Sequence, residues 1–224
     1  MRTAIFGGTF DPVHAGHIAA ALRAADGFSL DRVLFVVASQ PPHKRHAEQA
    51  DYEDRCRMVE LACAEDERLE PSRLEAPSEG GPSYSIDTIE RVRASLQPDD
   101  RLFFLIGEDA FADIETWHRA DDVLEAVELI VIPRVAGNEV EDQTPSRARV
   151  RRLEGFEHLA SSTEARNRVA SGESLDGILP ASVAAYIEKR GLYRAEDPKG
   201  QHTSQPSREA SARGRSPIDK EPAS

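Results

Sequence analysis

Short apolar runs alternate with longer amphipathic segments along this chain, a pattern that predicts βαβ units on a mainly parallel sheet with helices on both faces. Residues 3–6 read as the first strand and 17–25 as the first helix. The second strand, 32–38, carries the apolar run Val33-Leu34-Phe35-Val36-Val37-Ala38. Pro41-Pro42 then continues neither strand nor helix, which sets His43 and Lys44 on a loop past a strand end. Residues 51–64 predict a helix with acidic residues at its start and Met58, Leu61 and Ala62 on one face. A strand within 69–74, a helix over 85–96, a strand over 102–106, a helix over 118–126 and a buried strand over 128–132 follow. Residues 135–152 are charged and weakly periodic, and read as a surface loop with room for one short helix. A last short strand is expected around 157–160. Residues 161–169 read as a serine-capped helix, and 180–190 as a helix opened by Pro180 and closed by Gly191.

At 224 residues and 24.7 kDa the chain is long enough for one domain with a real core. Its 39% hydrophobic content and mean hydropathy of −0.50 are low, and part of the deficit gathers at the C-terminus. Residues 196–224 are rich in Ser, Pro, Gly, Gln and charge, with Ile218 the one large aliphatic residue. Such a segment cannot offset its ordering entropy by burial, so the expected division is a domain over 1–194 and a disordered tail over 195–224. The apolar runs have strand length, too short to span a bilayer, and no basic-then-apolar leader opens the sequence. A soluble, cytoplasmic protein without a membrane partner is the expectation. Cys56 and Cys63 lie seven apart in one expected helix, about 10 Å along its axis and too far for a disulfide.

The formal charge of −12 argues against a nucleic-acid partner, which calls for a basic face. An anionic small molecule remains compatible, because a few basic groups in a cleft set the local potential. His43-Lys44-Arg45-His46 is the best candidate for such a patch.

The stretch Thr3-Ala4-Ile5-Phe6-Gly7-Gly8-Thr9-Phe10-Asp11-Pro12-Val13-His14-Ala15-Gly16-His17 carries the most chemistry. A strand runs into a glycine pair, then a turn, then two histidines where a helix begins. Glycines admit a ligand close to the backbone, and a helix start offers unpaired N–H groups and a positive dipole end. Histidines there can donate to a bound anion, so the stretch reads as a phosphate site at the first strand-to-helix crossing. Two histidines at this spacing also suit a metal pair or ordinary polar positions at a helix start. A second cluster, Ser161-Ser162-Thr163-Glu164-Ala165-Arg166, combines a capping-box spacing with hydroxyls and an arginine that can hold phosphate oxygens. Asp11-Pro12 is read as a turn former in preference to a magnesium ligand.

Gly7-Gly8-Thr9-Phe10-Asp11-Pro12-Val13-His14 with Gly16-His17 resembles the signature of the HxGH nucleotidyltransferases, a Rossmann-like family. Ser161-Ser162-Thr163 with Arg166 resembles its second signature, with Ala160 and Ala165 in place of the customary isoleucines. Pro41-Pro42-His43-Lys44, Pro82-Ser83-Tyr84-Ser85-Ile86-Asp87-Thr88, Gly107-Glu108-Asp109 with Thr116-Trp117-His118, and the Gly191-Leu192-Tyr193 ending narrow the resemblance to bacterial nicotinate mononucleotide adenylyltransferases over roughly residues 1–194. Serine replaces the more usual threonine at position 85.

The resemblance implies adenylyl transfer from ATP to nicotinate mononucleotide, giving deamido-NAD and pyrophosphate in NAD biosynthesis. His14, His17, Lys44 and Arg166 would be catalytic. Gly7, Gly8, Thr9, Phe10, Gly107, Ser162 and Thr163 would bind ATP. Tyr84, Ser85, Thr88, Asp109, Trp117 and His118 would bind the mononucleotide, with Trp117 stacking on the pyridine ring. Mg²⁺ is expected to arrive mainly on the ATP phosphates, with no protein ligand assigned. A phosphopantetheine adenylyltransferase and a nucleotide-binding sensor without chemistry are the rival readings, and oligomeric state is left open.

Overall fold

The computed structural model describes residues 1–39, 50–77, 84–133, 145 and 147–194. Six strands form one sheet: β1 (Arg2–Gly8), β2 (Arg32–Val37), β3 (Leu69–Ser72), β4 (Arg101–Gly107), β5 (Glu128–Ile132) and β6 (Val150–Arg152). Their order is β3-β2-β1-β4-β5-β6 and every pairing is parallel. The chain winds outward from β1 to β3, then crosses back to lay β4 on the other side of β1. That reversal opens a crevice past the carboxyl ends of β1 and β4, where Rossmann-like sheets bind ligands.

Helices α1 (Ala15–Phe28), α2 (Tyr52–Cys63), α6 (Ser162–Ser171) and α7 (Ala181–Arg190) accompany one sheet face, and α3 (Ser85–Ala94) and α5 (Ala120–Ala126) the other. Strand periodicity divides the core accordingly. Ala4, Phe6, Val33 and Phe35 pack toward α1 and α2, while Ile5, Leu34 and Val36 pack toward α3 and α5. Phe35 is fully buried at the centre, and truncating it to alanine is expected to cost about 3–5 kcal/mol. Asp54 of α2 ties α7 down by accepting from Tyr186 Oη at 2.7 Å and Arg190 Nε at 2.9 Å. Cys56 and Cys63 are both buried and free.

Two strand expectations need correction. Residues 157–160 form no strand, and the last strand is β6, inside the segment read as a loop. Its sequence, Val-Arg-Arg, has no apolar alternation to reveal it. It is an edge strand held by backbone pairing to β5 and by the ion pair of Arg151 with Glu128. The helix expected from 118 starts at Ala120, after Arg119 adopts a left-handed conformation at φ 54°. A short helix α4 (Glu108–Ala112) and a 3₁₀ turn (Ile114–Thr116) also follow β4 directly. Trp117 and His118 therefore lie on a connection, off any helix.

Candidate active site

The corner expected to hold phosphates begins where β1 gives out. A Cβ at Gly8 would lie 3.0–3.2 Å from the Phe10 ring, so the glycine makes room for it. Phe10 itself has φ +50°, a conformation that costs a non-glycine residue energy and needs surrounding structure to hold it. Its ring supplies that hold, packing edge-on against Phe6 and His17 and tilted against Phe35.

His14 caps the start of α1, and its ring stacks on His17 with centroids 3.6 Å apart. The His14 backbone N–H donates to His17 Nδ1 at 3.2 Å. An accepting Nδ1 leaves the proton on Nε2, so His17, which lines the cleft, presents an N–H donor. Burial, with the nearby His158 adding to it, lowers the His14 pKa to about 4, and that imidazole is neutral at pH 7. A Cβ at Gly16 would meet His14 Nδ1 at 3.0 Å and His158 Nδ1 at 3.1 Å. The glycine of the histidine pair is thus required by two imidazoles closing on it.

The turn between Thr9 and Pro12 is braced from distant parts of the chain. Arg55, 2% exposed, donates through Nη1 to Thr9 O at 2.8 Å and Ala38 O at 2.7 Å, and through Nε to Ala50 O at 3.2 Å. Ser162 Oγ donates to Pro12 O at 2.9 Å, and Arg166 Nη1 to Asp11 O at 2.7 Å. Asp11 Oδ1 accepts from Tyr193 Oη at 2.6 Å and from Ala50 N at 3.2 Å. Asp11 is a structural hub, and the Asp11–Pro12 peptide is cis.

A cleft of about 320 Å³ opens beside this corner, in the range of small-ligand sites. Gly7, Gly8, Thr9, Phe10, His17 and Ser162 line one end, Tyr84, Ser85, Trp117 and His118 the other, and Gly107 at the end of β4 also lines it. Trp117 packs perpendicular to Phe104, and Tyr84 and His118 lie ring on ring at 4.2 Å. Ser85 opens α3, where helix geometry directs unpaired N–H groups outward.

Not every expected site residue reaches the cleft wall. Thr88 is 2% exposed and its hydroxyl donates to Glu75 Oε1 at 2.6 Å, and Glu75 is the cleft residue of the two. Thr163 Oγ1 accepts from Arg166 Nη2 at 3.4 Å. Asp109 is exposed on α4. Lys44, with Pro41, Pro42 and His43, lies outside the described residues, as do Pro82 and Ser83. Sequence reasoning missed Arg55, Glu75 and His158. Arg55 carried a signal, a charge three positions before Met58 on the buried side of a helix. Among the described residues no group of three or more His, Cys, Asp or Glu side chains is placed to hold a metal ion.

The family model described as cytidylyltransferase-like matches residues 5–168, which places the chain among the nucleotidyltransferases. A protein of Solibacter usitatus named "Probable nicotinate-nucleotide adenylyltransferase" is 52% identical over 193 residues, 86% of this chain and 100% of that protein. A Thermus thermophilus protein of the same name is 44% identical over 194 residues, 87% of this chain and 100% of that protein. The solved Plasmodium falciparum nicotinic acid mononucleotide adenylyltransferase complexed with NaAD superposes with a TM-score of 0.68. It covers 86% of this chain and 97% of its own at 17% identity, which speaks for the fold. The chain belongs to the nicotinate-nucleotide adenylyltransferase family.

Proposed function

We propose that the chain transfers the adenylyl group of ATP to nicotinate mononucleotide, releasing pyrophosphate and forming deamido-NAD. The observation that carries this reading is one cleft joining a glycine- and histidine-lined phosphate corner to an aromatic end around Trp117. A phosphate oxygen of the mononucleotide attacks the α-phosphorus of ATP in line with the departing pyrophosphate. That nucleophile is an anion at neutral pH, so the reaction needs no general base. Catalysis is then positioning and stabilisation of the charge that develops on the α-phosphate and the leaving group.

His17 donates from Nε2 into the cleft at the start of α1, where the helix dipole adds positive potential. His14, kept neutral by burial, stacks beside it and fixes the ring plane. Ser162, Thr163, Arg166 and Lys44 are assigned to the outer phosphates, and Gly107 to the ATP side of the cleft. Mg²⁺ is assigned as part of the substrate, entering on the ATP phosphates. Trp117 offers a flat face to the pyridine ring, an arrangement that contributes about 0.5–1.5 kcal/mol beyond area burial. Tyr84, His118 and the N–H groups at Ser85 frame the ring substituent, and Asp109 a ribose hydroxyl.

The acid is assigned as acceptor in preference to the amide because N–H donors at a helix start suit a carboxylate that accepts on both oxygens. An amide would turn NH₂ hydrogens toward those donors, at a cost of about 1–3 kcal/mol, or roughly 5–150-fold in kcat/KM. The test is pyrophosphate release from ATP with nicotinate mononucleotide, nicotinamide mononucleotide and phosphopantetheine side by side. The acid is expected to be preferred by at least about fivefold. Equal use of acid and amide overturns the acceptor assignment, and turnover of phosphopantetheine alone overturns the reaction assigned.

A further inference from the structure

His158 lies outside the motifs that carry the family resemblance, and the reaction as described gives it no part. It is half-buried on the connection between β6 and α6, and its Nδ1 accepts from the backbone N–H of Ala160 at 3.0 Å. That bond, with Phe156 lying stacked on its ring at 6.4 Å between centroids, fixes where the imidazole stands. It stands against the first turn of α1, where a Cβ at Gly16 would lie 3.1 Å from His158 Nδ1 and 3.0 Å from His14 Nδ1. The two nitrogens converge on a place where α1 carries no side chain.

His14 needs such a neighbour. Its Nδ1 is buried and has no hydrogen-bond partner among the described residues. The outer torsion of a histidine is broad, so with no bond at that nitrogen the ring plane is set by packing. His17 covers one face of the ring at 3.6 Å between centroids, and His158 stands at its Nδ1 edge. We infer that His158 is a positioning residue for the adenylyl transfer: it wedges His14 in the plane that keeps His17 aimed into the cleft. The same closeness adds to the burial that keeps His14 neutral. The inference rests on the role given to His17 in the proposed reaction.

The experiment measures kcat and the KM for ATP in the full chain, with nicotinate mononucleotide as acceptor. The variants are His158→Ser, His158→Leu, His17→Ala, and His17→Ala combined with His158→Ser. Serine gives up the ring but keeps an oxygen that can accept from the Ala160 N–H two residues on. Leucine keeps bulk in the place of the ring and gives up the acceptor. His158→Ser is expected to lower kcat about tenfold with the KM for ATP within about twofold, and His158→Leu to keep most of the wild-type kcat. In the His17→Ala background the serine substitution is expected to cost no further kcat, because the contact acts through a ring no longer there. Counting kcat per folded molecule, from the stoichiometry of ATP binding, keeps partial unfolding from imitating the effect. Near-normal kcat in His158→Ser overturns the inference, as does a loss in His158→Leu just as deep. A loss that falls on the KM for ATP instead, or the tenfold loss repeated in the His17→Ala background, also overturns it. In each of these cases the wild type still turns over nicotinate mononucleotide. A wild type that does not overturns the inference together with the proposed reaction.

Discussion

The two ends of the cleft are held in place by different means. At the phosphate end, Arg55, Ser162, Arg166 and Tyr193 converge from α2, α6 and the end of α7 on the few residues between Thr9 and Pro12. At the acceptor end, Trp117 and His118 stand on a connection after a 3₁₀ turn, packed ring against ring on Phe104 and Tyr84. At the end assigned to the phosphates, position is set by charged and polar groups brought in over long sequence distances. At the end assigned to the acceptor, position is set by local turns and aromatic faces. Changes at the first end should damage folding and rate together, and changes at the second should alter acceptor affinity with the fold intact.

The largest expected loss is at Arg55. Arg55→Met removes the donors to three backbone carbonyls in a buried place, which is expected to destabilise the fold by about 3–5 kcal/mol. Denaturant unfolding measures it, and a loss under about 1 kcal/mol would show that the brace does not matter. Next comes the pH dependence set by His14. Its folded pKa of about 4 lies below the ordinary 6.5, so between those values the unfolded chain binds more protons. Stability should be complete above pH 6.5 and fall toward pH 4, by about 3 kcal/mol if His14 acts alone. His14→Asn should flatten that slope, and an unchanged slope contradicts the assignment.

Asp54 acts in a lower window. Burial pushes its carboxyl up, but hydrogen bonds from Arg190 and Tyr186 outweigh this and hold it below the ordinary 3.8. Its contribution is present above 3.8 and is lost as pH falls through the lower folded value. Tyr193→Phe takes away the hydroxyl that Asp11 accepts from, and a loss of about 1–3 kcal/mol is expected. The smallest expected effect is none. Removing residues 195–224, which are rich in Ser, Pro, Gly, Gln and charge, should leave thermal stability and activity unchanged. A melting point lower by several degrees would show that the tail packs on the domain.

The contrast between the two ends also governs how much could be read from the sequence. The glycine pair, the turn and the two histidines are contiguous, so a strand-to-helix corner could be read there without help from the rest of the chain. The helix caps at Ser161 and Gly191 were legible for the same reason. The brace was not legible, because Arg55 meets its carbonyl 46 residues away and Tyr193 its carboxylate 182 away. β6 was hidden because an edge strand held by backbone pairing and an arginine needs no apolar alternation. Trp117 was assigned through resemblance, since nothing in its neighbours' polarity distinguishes a stacking platform from a rim residue. Glu75 went unread because its inward turn depends on Thr88, thirteen positions further on.

The division of labour between the two ends is tested most directly by steady-state kinetics of His17→Ala and Trp117→Ala, with ATP and nicotinate mononucleotide each varied. His17→Ala is expected to lower kcat by roughly 10²–10³, the scale of losing one preorganised donor, with the KM for ATP changing far less. Trp117→Ala is expected to raise the KM for the mononucleotide about 2- to 12-fold while kcat changes little. Near-normal kcat in His17→Ala, or a collapse of kcat in Trp117→Ala as deep as that in His17→Ala, would contradict the account.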